Sequence, residues 1–95
     1  MSTDTLEILT REGKPWRVNR AKYEAVRDAL MQTLPDTAPG MSFAEMKAGV
    51  LPLLDEALFP GGDKLGWWLK SVQLDHEARG LILRSAGKPL RFYRA

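Results

Sequence analysis

The chain has 95 residues, 44% of them hydrophobic and 27% charged, which fits one globular domain and excludes a disordered or fibrous chain. It contains no cysteine, which excludes disulfides, thiol nucleophiles and thiolate metal sites. No apolar run approaches the ~20 residues that cross a bilayer, and residues 1–4 lack the features of a signal peptide, so we expect a cytoplasmic protein without a membrane partner.

The net charge is only +2, but it is unevenly distributed along the chain. The segment from Lys64 onward holds seven basic and two acidic residues, a charge of +5, and the preceding segment therefore carries −3. Such asymmetry indicates a basic face that suits nucleic acid. An ordinary solvated surface with dispersed cations explains the same pattern, and both interpretations stay open.

The amino-terminal segment predicts a β-hairpin over residues 5–18. Thr5–Leu9 is rich in β-formers and places two aliphatic side chains on one face. Arg11–Lys14 contains a glycine and predicts a turn. Trp16 and Val18 then alternate with a polar residue, as in a second short strand.

The first helix is predicted between Asn19 and Pro35. Asn19 suits the N-cap, because its side chain accepts a hydrogen bond from a first-turn amide. Pro35 ends the helix, because the residue before a proline avoids the helical conformation. Apolar residues recur between them at helical spacing. They are Tyr23, Val26, Ala29, Leu30, Met31 and Leu34.

A second helix is predicted after the loop at residues 35–40. Ser42 and Glu45 have the spacing of a capping box, which marks the start of a helix. Pro52 removes a helical hydrogen bond, so this helix kinks or ends there. We expect Leu53 and Leu54 to face the core.

A third helix and a second hairpin complete the chain. Asp63, after a glycine-rich break, is expected to cap the third helix. The helix runs to about Arg79, and Gly80 fits the left-handed position that follows a helix. The two strands of the hairpin are predicted at Leu81–Arg84 and Leu90–Arg94, joined by Ser85–Pro89. The fold class is therefore α+β, a single domain over residues 1–95 with a hairpin at 5–18, a three-helix core at 19–80 and a second hairpin at 81–95.

On a helical wheel, the third helix shows two apolar stripes. One is the expected core face, formed by Leu65, Trp68, Leu69, Val72 and His76. The opposite stripe contains Trp67 and Leu74, which are exposed unless Trp16 of the first hairpin or a second subunit covers them. A narrow polar arc with Lys70 and Gln73 lies between the stripes.

No residue pattern indicates an enzyme. His76 is the only histidine, and its place on the apolar stripe favours a buried, hydrogen-bonded ring over a catalytic one. Asp75 and Glu77 point to other faces of the helix, and Ser42 is explained as a cap. Since no pair of histidines or cysteines exists for a zinc site, we expect no catalytic residue, no metal and no cofactor.

Two resemblances bear on the fold. Leu74–Arg84 resembles the end of the recognition helix and the first wing strand of bacterial winged-helix regulators, with His76 where those proteins commonly have leucine. This implies a winged-helix-like domain whose second hairpin is the wing. The whole chain also resembles a small bacterial family of unknown function, which implies no activity. The segments that carry this second resemblance are Arg20–Leu30, Leu58–Gly62, Gly66–Lys70 and Val72–Asp75.

Two hypotheses for function follow. In the first, the protein binds double-stranded DNA: Lys70 and Gln73 contact base edges, and cations of the second hairpin contact phosphates. These cations are Arg84, Lys88 and Arg91. Protection of an edge strand by charge explains the same cations equally well. In the second hypothesis, Trp67 and Leu74 form an interface with a second copy or with another protein.

Overall fold

The computed structural model describes residues 5–9 and 15–95, and the side chains of all of these except Pro15 and Trp16. The described chain is α+β, with an amino-terminal antiparallel hairpin, three helices and a carboxy-terminal strand pair. This confirms the predicted fold class and element order. The predicted turn at Arg11–Lys14 lies outside the described residues.

The amino-terminal hairpin consists of β1 (Thr5–Leu9) and β2 (Pro15–Asn19), paired antiparallel. Leu6 lies opposite Val18 in the register. Cross-strand partners share a face of the sheet, and this face is the inner one, since Ile8 and Val18 are buried. The hairpin therefore covers one side of the helical core.

Helix α1 (Arg20–Thr33) follows β2 directly. Its first turn is capped as predicted, because the Asn19 Oδ1 atom accepts a hydrogen bond of 3.0 Å from the Lys22 amide. The helix ends one residue before Leu34, which precedes Pro35. Its buried face is the predicted one and consists of Tyr23, Val26, Ala29 and Leu30.

Helix α2 (Phe43–Val50) begins with the predicted capping box. The Glu45 amide donates to the Ser42 hydroxyl at 3.2 Å, and the Glu45 carboxylate accepts from the Ser42 amide at 2.9 Å. A short 3-10 turn, Leu51–Leu53, follows the helix and contains Pro52. The expectation that Leu53 faces the core is wrong, because this turn leaves it 51% exposed.

Helix α3 (Leu65–Ala78) carries most of the residues singled out for function. Asp63 does not cap it, which corrects the prediction: the Asp63 amide closes a 3-10 turn on the Pro60 carbonyl (3.0 Å), and Lys64 occupies the N-cap without a side-chain hydrogen bond. Lys64 is left-handed there, with φ 57°. At the other end Gly80 has φ 76°, as predicted, and the Leu81 amide donates to the His76 carbonyl at 2.8 Å.

The carboxy-terminal strands are β4 (Ile82–Ser85) and β5 (Arg91–Arg94), each shifted slightly from its predicted range. A two-residue strand that was not predicted, β3 (Met41–Ser42), pairs with the other side of β5, which gives the order β3-β5-β4. The buried side chains Ile82 and Phe92 bring this sheet onto the helical core. Within the described ranges, no helix is long and apolar enough to cross a membrane.

Candidate functional site

One face of α3 remains open to solvent. The core face is buried as predicted, whereas Trp67 is 50% exposed and Lys70 is exposed. Leu74 lies on the same open side and is partly buried. The residues predicted as an interface therefore share one side of the helix, two turns apart. The side chain of Trp16, which the sequence offered as a cover for these residues, is outside the described side chains.

The polar arc of α3 is not open at Gln73, which corrects the sequence interpretation. Gln73 is fully buried, and its amide nitrogen donates to the Glu77 carboxylate. Its Oε1 atom has no partner among the described residues. The cause is the second hairpin, which packs along this side of the helix and places Arg84 against Glu77. In this arrangement Gln73 does not reach a base edge.

Both arginines proposed as wing contacts are already paired within the chain. Arg84 donates to both oxygens of Glu77, at 2.9 and 3.1 Å. Arg91 donates to the Glu45 carboxylate at 3.1 Å. The Ser42 amide, and to a lesser extent Arg91, holds the pKa of the Glu45 carboxyl below its usual range, so the partner of Arg91 is an anion at neutral pH. These two arginines must give up a partner before either contacts a phosphate.

The arginines and lysines of the described chain differ in whether they pair with carboxylates. Five arginines of the described chain form ion pairs with carboxylates: Arg17, Arg27, Arg79, Arg84 and Arg91. Within the same described ranges, no lysine forms such a pair. We refer to these unpaired cations as the lysine surface, and they are Lys22, Lys47, Lys64, Lys70 and Lys88.

Four members of the lysine surface lie around the open face of α3. Lys22 and Lys64 line a cleft beside Trp67. Lys47 places its ammonium nitrogen beside Gly66, 3.8 Å from where a Cβ atom on that glycine would stand. Lys70 lies on the face itself. The positive charge is therefore drawn from α1, α2 and α3, and not mainly from the hairpin.

The cleft beside Trp67 has a volume of about 550 Å³ and is lined by two lysines and two tryptophans. The Trp67 and Trp68 rings meet edge to face, with centroids 5.0 Å apart and planes at 88°. Phe59 supports Trp68 from the other side, at 6.3 Å and 85°. The Lys22 ammonium lies 5.7 Å from the centre of the Phe59 ring. The cleft therefore combines cations with an aromatic wall.

A second cleft of about 470 Å³ separates the start of α2 from the second hairpin. Lys70 and Phe43 both line this second cleft, and the Lys70 ammonium lies 5.6 Å from the centre of the Phe43 ring. Pro89 and Leu90 form the opposite wall. Lys88 is exposed and directly precedes Pro89, which lines this cleft together with Lys70.

Asp75 is a fully buried carboxylate that the sequence pattern did not single out. It accepts hydrogen bonds from the Leu9 amide at 2.8 Å, the Tyr23 hydroxyl at 2.7 Å and the Arg79 Nε atom at 2.9 Å. Burial, and then the bond to Asp75, raises the pKa of Tyr23 well above its usual range. The hydroxyl therefore stays protonated, and the carboxylate joins β1, α1 and α3.

His76 is buried and hydrogen-bonded, as predicted. Its Nδ1 atom donates to the Val72 carbonyl at 2.9 Å, and the ring stacks on Tyr23 with centroids 6.1 Å apart. Burial lowers the pKa of His76, so the ring is neutral at neutral pH. Asp75 and His76 are therefore both enclosed by the packed chain. In the parts of the chain that the structure describes, no acidic, histidine or cysteine cluster could hold a metal ion.

Sequence reasoning did not identify Lys22, Lys47 and Lys64 as neighbours of Trp67. Lys22 and Lys47 are far from Trp67 in the chain, and the packing of α1 and α2 against α3 brings them near it, whereas Lys64 lies three residues before Trp67. The sequence offered only a weak signal for these lysines. Each lies in the first or last turn of a helix or at its N-cap, and none has a carboxylate three or four residues away. Of the residues proposed to contact DNA, the structure keeps Lys70 and Lys88 exposed and unpaired.

Comparison with known proteins gives a family and no activity. A model for a family of unknown function, DUF6958, matches residues 5–92. Since this match covers nearly the whole chain, the protein belongs to that family. None of the curated proteins and none of the solved structures matches it.

Proposed function

We propose that this member of a family without an assigned activity is a non-enzymatic nucleic-acid-binding protein that holds phosphates through its lysine surface. The order of elements, with α3 followed by a hairpin, supports a winged-helix-like arrangement in which α3 faces the nucleic acid. Lys88 holds a phosphate, as the sequence suggested, and Lys70 holds a phosphate instead of a base edge. Lys22, Lys47 and Lys64 replace the buried Gln73 and the paired Arg84 and Arg91.

The separation of paired arginines from unpaired lysines carries this proposal. An arginine in an ion pair gains little from a phosphate, because it exchanges one anionic partner for another. An unpaired lysine that neutralises a phosphate releases condensed counterions, and this release supplies most of the nonspecific affinity. The lysines around α3 are therefore the cations from which binding gains most.

Charge-matched variants test the proposal. Lys64→Gln with Lys70→Gln removes two charges from the lysine surface, and Arg17→Gln with Arg27→Gln removes two paired charges elsewhere. At about 0.1 M salt each phosphate contact contributes roughly 5-fold, so the lysine pair is expected to weaken binding about 25-fold. Fluorescence anisotropy with short single-stranded and duplex oligonucleotides measures this loss of affinity. Equal losses in the two variants would contradict a localised surface.

A second candidate function, self-association, rests on the outer face of the second hairpin. Leu81 and Leu83 are 46% and 43% exposed. The Ala95 amide donates to the Leu81 carbonyl, so the backbone groups of Ile82 and Arg84 point away from β5, towards an edge that no other described strand covers. An antiparallel pair of β4 edges related by a two-fold axis at Leu83 is self-complementary.

The test of this second candidate is the oligomeric state in solution. Sedimentation equilibrium is expected to show a dimer that Leu83→Lys dissociates, because a charged edge resists strand pairing. Leu53→Lys is the control, since Leu53 is also exposed but lies on the turn after α2. A monomer over the whole accessible concentration range would exclude the dimer, and so also an interface between copies through Trp67 and Leu74.

A further inference from the structure

We propose that the cleft lined by Lys22, Lys64, Trp67 and Trp68 receives an unpaired nucleotide of a single-stranded nucleic acid. The base stacks on Trp67, and the phosphate lies between the two ammonium groups. This inference rests on the proposed function and narrows it to one form of nucleic acid. It applies equally to RNA and DNA, which share the base ring and the phosphate.

The chemistry of the cleft matches both parts of a nucleotide. Its two lysines supply charge for a phosphate, and its described lining includes no carboxylate. Its indoles offer a planar apolar surface for a base. The volume of about 550 Å³ is within the range of ~300–1,000 Å³ typical of sites for small organic ligands. A ligand without an aromatic ring leaves the tryptophan wall unused, and one without an anion leaves the lysines unused.

The aromatic wall is built to accept one ring. Trp68 is only 7% exposed and is held at nearly right angles by Phe59 and by Trp67. Trp67 is the exposed member, and its ring meets Trp68 edge to face. Two perpendicular indoles do not form a continuous platform, so the geometry provides one stacking position and not a stack of several bases.

The start of α3 adds positive potential to the same cleft. Lys64 is left-handed at φ 57° and makes no side-chain cap, a backbone conformation that is costly outside glycine and asparagine. It sets the lysine beside Trp67 and leaves the first-turn amides of α3 without a side-chain acceptor. An anion near these amides is stabilised by the helix dipole.

A strand fits the surroundings better than a duplex or a free nucleotide. A base inside a duplex is already stacked and does not reach an indole on the protein surface, whereas the bases of a single strand stack readily on exposed aromatic rings. Lys70 lies six residues beyond Lys64, roughly 9 Å along the helix, so it contacts a different phosphate. Only a polymer occupies the cleft and Lys70 together.

Three fluorescently labelled probes test the inference: a short thymidine oligonucleotide, the same length of abasic phosphodiester chain, and the matching duplex. The natural protein is expected to bind the thymidine strand about 5- to 150-fold more tightly than the abasic chain, the effect of stacking one base on an aromatic side chain. It is also expected to prefer this strand to the duplex. Trp67→Ala removes the preference over the abasic chain, and Trp67→Phe retains most of it.

Two controls separate this inference from the proposed function. Lys70→Gln is expected to weaken all three probes by the same factor, since it removes a phosphate contact and not a base contact. Leu53→Ala, at an equally exposed apolar side chain away from the cleft, is expected to change nothing. Circular dichroism checks that each variant is folded. If Trp67→Ala does not fold, the comparison relies on Trp67→Phe.

The outcomes are distinct. Binding that is salt-dependent but equal for the thymidine and abasic strands, and unchanged in Trp67→Ala, overturns the stacking site and leaves the proposed function intact. Tighter binding to the duplex than to the single strand also overturns the stacking site and leaves the proposed function intact. Thymidine monophosphate that competes as well as the oligonucleotide shows a site for a free nucleotide and overturns the strand. No binding to any probe overturns both proposals.

Discussion

Replacing Asp75 with alanine is expected to destabilise the protein severely. The substitution leaves two donors without an acceptor, the partly buried Leu9 amide and the buried Tyr23 hydroxyl. Each orphaned donor costs ~1–3 kcal/mol, which gives a loss of ~2–6 kcal/mol. The third donor, Arg79, adds little to this loss, because its side chain is 44% exposed and turns to water. Domains of this size are stable by only ~5–15 kcal/mol.

Equilibrium unfolding in urea, followed by tryptophan fluorescence, measures this loss. Asp36→Ala is the control, because Asp36 is an exposed carboxylate in the loop after α1, and its expected effect is within ~0.5 kcal/mol. Tyr23→Phe combined with Asp75→Ala is expected to cost less than the sum of the two single changes, since it removes one orphaned donor. A loss below ~1 kcal/mol in Asp75→Ala would refute the view that this carboxylate joins β1, α1 and α3.

Three further predictions concern pH, a close backbone approach and a helix cap. Because burial lowers the pKa of His76, the unfolded chain takes up a proton below about pH 6.5 that the native ring does not. The free energy of unfolding therefore falls as the pH drops through this range, by up to ~1.4 kcal/mol per pH unit. Unfolding measured at several pH values should show a weaker pH dependence in His76→Gln. Gly40→Ala is expected to cost more than Gly61→Ala, since both have positive φ but only the first Cβ overlaps a neighbour, the carbonyl oxygen of Phe92; equal melting temperatures would contradict this. Ser42→Ala, which removes the cap of α2, is expected to cost ~1 kcal/mol by urea unfolding, and no change would mean that the capping box is not needed.

The local parts of the fold could be predicted because their signals lie within a few residues. Asn19 and the Ser42 capping box act on amides of the same turn. Gly80 ends α3 through its own backbone conformation. Asp63 failed as a cap for an equally local reason that the pattern does not show: it ends the preceding 3-10 turn, and Lys64 occupies the N-cap position of α3.

The candidate site was harder to predict because it depends on contacts between distant segments. Gln73 looks solvent-facing on a wheel, but it is buried in the folded chain, where β4 packs against α3. Asp75 is enclosed by donors 66 and 52 residues away along the chain. The strand β3 has two residues and exists only through its pairing with β5. Likewise, no spacing in the sequence links Lys22 with Trp67, although both line one cleft.

The most direct test of the lysine surface is the salt dependence of binding to a single-stranded oligonucleotide. Each phosphate contact contributes about −0.7 to the slope of log affinity against log salt concentration. We predict a slope of about −2 to −3.5 for the natural protein and one shallower by about 1.4 for Lys64→Gln with Lys70→Gln. A slope near zero, or the same slope in both proteins, would contradict the claim that these lysines hold nucleic acid.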